Sequence, residues 1–231
     1  MRRKMKGFGV VLVAMLALGA IGAQGASGHE FTSDVENTVL TGHSEAGNDL
    51  TITTNTGAAT KCKGFTLRGE QLGGKTADTV TLVPSTTECT FAGNPATVVV
   101  KDCAWVLDSD TNGSGHADVD TECAEGGQIE IVTSACTLDM RAQTAMESGA
   151  HYYNETADKT VTVETTLTNI KVAQKTGSAI LCAFAGTTAT LASVTTWTGY
   201  EHKGRTGTTT TPTYTEGNKV GISVSGADSK A

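Results

Sequence analysis

The stretch that decides the fold, residues 87–137, reads TECTFAGNPATVVVKDCAWVLDSDTNGSGHADVDTECAEGGQIEIVTSACT. Its short apolar runs are separated by Asn, Gly and Asp, which is the pattern of successive β-strands joined by tight turns. Four of the six cysteines of the chain fall in this stretch: Cys89, Cys103, Cys123 and Cys136. The stretch therefore predicts antiparallel strands cross-linked by disulfide bonds, and it indicates a fold more clearly than a chemistry.

The N-terminal 25 residues have the three parts of a secretory signal peptide. Arg2, Arg3, Lys4 and Lys6 form a basic start, residues 7–21 are an apolar run, and a cleavage site is predicted at residues 23–25, among small residues. A retained membrane anchor is the alternative, but the apolar run is short and rich in glycine, whereas a spanning helix needs about 20 apolar residues. We therefore expect an exported protein, either secreted or at the cell surface.

Charge excludes two classes of partner. The chain has 17 basic and 24 acidic residues, and cleavage of the signal peptide would leave 13 basic residues and a net charge of −11. Nucleic acid and anionic membrane surfaces repel a chain this acidic. The sequence therefore predicts no nucleic-acid partner, and no membrane span once the signal peptide is removed.

Outside the signal peptide the chain reads as one β-domain, residues 26–231. Short threonine-rich strands with period-two alternation recur between glycine turns, which favours a single all-β unit. We expect an antiparallel β-sandwich or a flattened Greek-key barrel. Three local features are also predicted: a bulge near Thr168 or Asn169, one or two helical turns in residues 141–149, and an exposed Thr-rich hairpin loop at residues 203–218.

The cysteines predict three disulfide bonds, because their number is even and the chain is exported. Metal binding is the alternative, but no two cysteines have CxxC spacing. A hairpin centred near Gly113 would place Cys103 opposite Cys123, which supports that pair directly. The remaining pairs are chosen with less support from the pattern: Cys62 with Cys89, and Cys136 with Cys182.

The order of short sequence words resembles a known group of proteins. It runs CKGFTL, then CTxxGxPATV, a Cys-x-Trp strand, ECxxGxxIEI, CTL, Tyr-Tyr-Asn, TGY and a final VGISV. This resembles uncharacterised exported proteins of soil bacteria with high-GC genomes, over roughly residues 65–224. The resemblance implies secretion and a β-fold stapled by disulfides, and it implies no activity and no site residues.

An acidic turn at residues 108–120 is a candidate calcium site. Its first six residues fit D-x-[DN]-x-[DN]-G, the opening of a calcium-binding loop, and Ca²⁺ prefers several oxygen ligands. The twelfth position is Val119 where that loop has a bidentate acid, so an ordinary Asp- and Asn-rich turn is the alternative. The candidate ligands are Asp108, Asp110, Asn112 and Asp120.

Two aromatic clusters could form a ligand-binding face. Tyr152 with Tyr153, and Trp197 with Tyr200, could cover the apolar faces of sugar rings. The alternative is that Trp105 and Trp197 belong to the core, because aromatics make up only 5 % of the chain.

Catalytic signatures do not occur in the sequence. The chain has no GxSxG and no HExxH word, and its five histidines lack partners at metal-ligand spacing. A dispersed Ser-His-Asp triad stays open, because its members need not be adjacent. We expect a non-catalytic envelope protein with a binding, adhesive or structural role, with a cell-wall glycan or a second copy as partner. The alternatives are a secreted hydrolase without a local motif and a calcium-stabilised carbohydrate-binding module.

Overall fold

A computed structural model describes residues 30–71, 74–109, 116–177, 182, 187–207 and 212–230. In these ranges the chain is all-β, in line with its many β-branched residues and its alternating pattern. The described ranges contain no apolar helix of membrane-spanning length. The strands are β1 (Phe31–Ser33), β2 (Thr38–Ser44), β3 (Leu50–Thr54), β4 (Ala59–Gln71), β5 (Thr76–Ala77), β6 (Thr79–Phe91), β7 (Asn94–Asp108), β8 (His116–Thr133), β9 (Cys136–Met140), β10 (Gln143–Glu155), β11 (Thr160–Lys171), β12 (Ala173–Gly177), β13 (Thr188–Gly207), β14 (Pro212–Val220), β15 (Ile222–Val224) and β16 (Asp228–Lys230).

The large sheet closes on itself. Its pairing order runs β8, β7, β6, β4, β2, β13, β11 and β10, and β10 pairs again with β8. Every pair around this ring is antiparallel. β3 continues the position of β2 in the ring, because it also pairs with β13 and β4. Within the described residues, closure gives each strand of the ring a paired neighbour on both sides.

This architecture confirms the predicted all-β, antiparallel, disulfide-linked fold with its sandwich-like shape. The Greek-key part of the prediction was wrong, because each ring strand lies beside the ring strands before and after it along the chain. The physical reason is local: tight hairpins such as Ala92-Gly93, both at positive φ, return the chain directly onto its neighbour. The sequence pattern shows strands and turns but does not show which strands pair.

One end of the ring is covered by a small three-stranded sheet in the order β15, β1, β5. The side chain of Phe31 on β1 points into the interior of the closed sheet. The centroid of its phenyl group lies 5.3 Å from that of Tyr152 and 6.2 Å from that of Trp197. The first and last parts of the described chain therefore meet at this end, which we call the capped end.

The interior of the ring is one continuous apolar core. In many strands inward residues alternate with outward, mostly polar ones, as in β3 where Leu50 and Ile52 are buried between half-exposed threonines. Phe65, Leu82 and Leu107 are among the fully buried side chains of neighbouring strands. The threonine content of the chain thus belongs largely to the outer faces of strands.

All three predicted disulfides are confirmed: Cys62–Cys89, Cys103–Cys123 and Cys136–Cys182. Two of them join residues that lie directly opposite each other on adjacent strands, with Cα atoms 4.0 Å apart. These bonds fix the register of β4 against β6 and of β7 against β8.

The local predictions had mixed outcomes. The bulge is confirmed, because the register of β11 against β13 shifts between Leu167 and Ile170, and Asn169 has a φ of 57°. The helical turns in residues 141–149 were wrong, because this stretch forms the start of β10 and pairs with β8. Backbone pairing with β8 overrides the helical composition of this stretch. Gly149 is required there, because a side chain at this position would overlap the carbonyl of Ala117.

The Thr-rich stretch at residues 203–218 is mostly paired strand, which corrects the predicted loop. β13 continues beyond its last partner on β2, Glu201↔Thr38, and pairs with β14 as far as Gly207↔Pro212. We call this hairpin, formed by residues 201–207 and 212–220, the arm. β14 ends at Val220 and β15 begins at Ile222, where the chain pairs with β1.

Candidate functional site

The predicted calcium ligands are only partly placed. Asp108 ends β7 and Asp120 lies on β8, whereas Asp110 and Asn112 fall outside the described residues. Val119, at the position where a calcium loop has its last acid, is buried in the core. Within the described ranges no three acidic, histidine or cysteine side chains are arranged to hold a metal ion. Calcium binding at this turn stays a prediction.

The carboxyl of Asp108, at the start of the acidic turn, is in an environment that disfavours its ionised form. Burial raises the pKa of Asp108, and the charges of Asp120, Asp118 and Asp78 raise it further. The ionised form of Asp108 is therefore less favourable in the folded state than in the unfolded chain.

We expect Asp108→Asn to raise the free energy of unfolding at pH 7. A folded-state pKa above the unfolded value means that the folded state is penalised wherever Asp108 is ionised. This penalty disappears as the pH falls through the folded pKa toward the unfolded value of about 3.9. The gain should therefore shrink between pH 7 and pH 3 in urea denaturation, and the exposed Asp158→Asn is the charge-matched control. An Asp108→Asn gain in the free energy of unfolding that is equal at pH 7 and pH 3 would contradict a raised folded-state pKa for Asp108.

The aromatic prediction needs correction. Tyr152 and Trp197 are each 1 % exposed and lie in the core, so neither can present its ring to a ligand. The alternative that Trp105 and Trp197 are core residues is confirmed. Tyr153 and Tyr200 do point outward and are partly exposed, on β10 and β13. A period-two strand makes this outcome unavoidable, because adjacent Tyr152 and Tyr153 must face opposite sides.

Tyr153 belongs to a polar chain on the outer face of β10. Its hydroxyl lies 3.1 Å from His151 Nδ1 and donates to Glu164 Oε2 at 3.4 Å. His151 Nε2 in turn lies 3.4 Å from Asp228 Oδ2. Partial burial and the neighbouring Glu164 carboxylate raise the pKa of Tyr153, so its hydroxyl acts as a hydrogen-bond donor and not as a phenolate nucleophile.

A cleft of about 360 Å³ lies at the capped end, between the small sheet and the β10–β11 hairpin. We call it the polar cleft. Its lining combines hydroxyl, carboxylate and ammonium groups. The side chains that matter here are Thr32, Asp34, Glu155, Lys159, Thr160 and Ser223.

Hydrogen bonds across the two sheets fix the walls of this cleft. The Asn154 side chain donates to the carbonyl of Val224 at 2.8 Å and accepts from its N–H at 2.9 Å, which ties β15 to β10. Asp34 accepts from the N–H of Gly221 at 3.1 Å, and a side chain at Gly221 would collide with this carboxylate. The cleft is therefore largely preorganised.

Its charged groups are placed at defined positions. Lys159 Nζ lies 3.4 Å from Asp34 Oδ2, and Glu155 Oε1 accepts from the hydroxyl of Thr162 at 2.8 Å. Each carboxylate can accept further hydrogen bonds, since an ionised carboxylate has about four acceptor positions. The arrangement can both donate to and accept from a ligand with several hydroxyl groups.

Local sequence patterns do not predict this site. Asn154 and Glu155 directly follow Tyr152 and Tyr153, but Asp34 and Ser223 are far apart in the sequence. They meet only because β1 pairs with β15, Phe31↔Val224 through Ser33↔Ile222.

Comparison with protein-family models, curated proteins and solved structures finds no match for this chain. The resemblance to exported proteins of high-GC soil bacteria therefore stays a prediction.

Proposed function

We propose that this protein is an exported, non-catalytic β-domain that binds a hydroxyl-rich ligand, such as a cell-wall glycan, in the polar cleft. The observation that carries the proposal is the lining of that cleft. Thr32, Thr160 and Ser223 supply hydroxyls, while Glu155 and Asp34 supply acceptors beside the Lys159 ammonium. Sugar hydroxyls donate and accept at once, and such a mixed lining complements them.

Two properties of the fold support a binding role. A volume of about 360 Å³ lies within the range of small-ligand sites, and it suits one or two sugar rings. The cleft also lies between elements fixed by backbone pairing and by the Asn154 side chain, so binding would cost little ordering entropy.

The three disulfides support export. Such bonds form and persist in oxidising compartments, which include the cell exterior. We extend this to a secreted or surface-attached location, where a cell-wall glycan would be the accessible partner. The signal peptide that would direct this location lies outside the described residues.

Glu155→Gln should weaken glycan binding about tenfold, because a hydrogen bond to a charged group contributes about 1.5–3 kcal/mol. The measurement is isothermal titration calorimetry with the best ligand from a glycan and cell-wall binding screen. Glu122→Gln removes the same charge from an exposed position on β8 and should leave affinity unchanged. Equal losses in both variants, or none in either, would refute the polar cleft as the binding site.

The same screen tests the calcium-stabilised version of the proposal. Repeating it with a chelator should reduce both the affinity and the melting temperature if calcium orders the acidic turn. An unchanged melting temperature would contradict calcium binding at the acidic turn. The proposal that the polar cleft binds a glycan does not depend on that result.

A further inference from the structure

The charges that line the polar cleft do not balance. Among the described residues its lining contains two carboxylates, those of Asp34 and Glu155, and one ammonium group, that of Lys159. Lys159 Nζ lies 3.4 Å from Asp34 Oδ2, so the charge of Asp34 already has a partner. The negative charge of Glu155 is therefore left over.

The surroundings of Glu155 supply no second cation. Its Oε1 atom accepts from the hydroxyl of Thr162 at 2.8 Å, and this donor is neutral. Within the described ranges no lysine, arginine or histidine forms an ion pair with Glu155. Its side chain is partly buried, so water and salt screen its charge less than they screen that of a fully exposed carboxylate.

Other polar groups of the cleft are already bonded to one another. The Thr32 hydroxyl lies 3.2 Å from the carbonyl oxygen of Ser223 and also contacts the Ser223 hydroxyl. Asp34 accepts from the N–H of Gly221 at 3.1 Å in addition to its contact with Lys159. An ionised carboxylate has about four acceptor positions. Of the two carboxylates, Glu155 therefore has more capacity left for a ligand.

We propose that the ligand of the polar cleft is an amino sugar, whose protonated amine binds Glu155 while its hydroxyls bind the serine and threonine side chains. This inference rests on the proposed glycan-binding function and names the class of glycan. A neutral sugar leaves the extra carboxylate without a counter-charge, whereas an amino sugar supplies one. Hydrogen bonds between charged groups are also about twice as strong as those between neutral groups.

The net charge of the protein acts in the same direction. The chain carries a formal charge of −7, so a cationic ligand is attracted from a distance by the whole molecule. This attraction is not specific to the polar cleft. Variants of single charges inside and outside the cleft separate the two effects.

The test is a calorimetric titration of the oxidised protein at pH 6 with three β-1,4-linked disaccharides: those of glucosamine, N-acetylglucosamine and glucose. They differ only at C2, which carries a protonated amine, a neutral acetamide or a hydroxyl. We expect the glucosamine disaccharide to bind about tenfold more tightly than the other two, because it alone forms a charged hydrogen bond. Added salt should reduce this preference.

Glu155→Gln should weaken binding of the glucosamine disaccharide about tenfold, to the level of the glucose disaccharide. Glutamine keeps a carbonyl acceptor but lacks the charge, so the affinity for the glucose disaccharide should change much less. Glu122→Gln is the matched control, because it removes the same charge from an exposed position on β8 and should leave the preference unchanged.

Lys159→Gln should have the opposite effect, because it removes the only cation from the described lining of the cleft. We expect the glucosamine disaccharide to bind several-fold more tightly to this variant. Damage to the fold would weaken binding, so a gain in affinity cannot arise from misfolding. Lys61→Gln is the control, since this exposed residue of β4 does not line the cleft.

Equal affinities for the three disaccharides, or a preference for the amine that persists in Glu155→Gln, would overturn this inference. If Glu155→Gln weakens the binding of all three equally, glycan binding in the polar cleft stands and amine recognition fails. No binding of the glucosamine disaccharide would also overturn the inference, and the glycan screen then decides separately whether the proposed function holds.

Discussion

Trp197→Ala should lower the free energy of unfolding by about 3–5 kcal/mol, the range for truncating a large buried aromatic. Trp197 is 1 % exposed, its Nε1 donates to the hydroxyl of Thr195 at 2.9 Å, and its ring contacts Phe31 and Tyr152. The substitution would therefore open a cavity where the small sheet meets the ring. Typical domains are stable by only 5–15 kcal/mol, so this one change could remove much of the total.

Guanidinium denaturation followed by fluorescence and circular dichroism provides the measurement. Thr198→Ala is the matched control, because Thr198 is the next residue but points outward, and surface changes usually stay within about 0.5 kcal/mol. A loss below about 1 kcal/mol for Trp197→Ala would show that the ring is not packed around this side chain.

The second large effect is expected from the disulfide between β4 and β6. Replacing both Cys62 and Cys89 with alanine should destabilise the protein by about 2–4 kcal/mol, chiefly because the unfolded chain regains the freedom of a loop. The two residues are 27 positions apart and both are buried. Because both thiols are removed, no free cysteine is left to form wrong pairs.

The loss is measured as the difference in the free energy of unfolding between this double variant and the wild-type protein, by chemical denaturation without reductant. The Cys103→Ala/Cys123→Ala double variant is a useful comparison, since its bond spans a similar 20 residues and joins β7 to β8. The two losses should agree within about 1 kcal/mol. A Cys62→Ala/Cys89→Ala variant as stable as the wild type would contradict the stabilising role of the disulfide between β4 and β6.

Much of the fold could be predicted from the sequence, because strands leave a local signature. Period-two alternation located most strands, and a hairpin around the acidic turn placed Cys103 opposite Cys123. The bulge near Asn169 followed from a change of phase between Leu167 and Ile170. Each of these features is decided by residues close in sequence or facing each other across one hairpin.

The failures share a different cause. Residues 141–149 have a helical composition, but pairing with β8 outweighs weak intrinsic propensity. The Thr-rich stretch looked like a loop because threonine carries no core signal, yet it pairs as the arm. Ring closure through β8 and β10 depends on contacts around the whole molecule, which no local pattern encodes.

The candidate sites were largely hidden for the same reason. The polar cleft brings together Asp34, Glu155 and Ser223. Asp34 and Ser223 approach each other because β1 pairs with β15, and Glu155 lies on the neighbouring β10. The aromatic side chains of Tyr152 and Trp197 favour a ligand-binding face in the sequence, but their positions on the inner faces of strands place them in the core.

The most direct test of the proposed function is an NMR titration of the ¹⁵N-labelled, oxidised protein with the best glycan from the binding screen. We predict that shifted backbone amides will cluster at the polar cleft, around Asp34, Glu155 and Ser223. The glycan should be recovered unchanged, with no new reducing-end signals after prolonged incubation. Shifts confined to other surfaces, or the appearance of cleavage products, would contradict a non-catalytic domain that binds its ligand at the capped end.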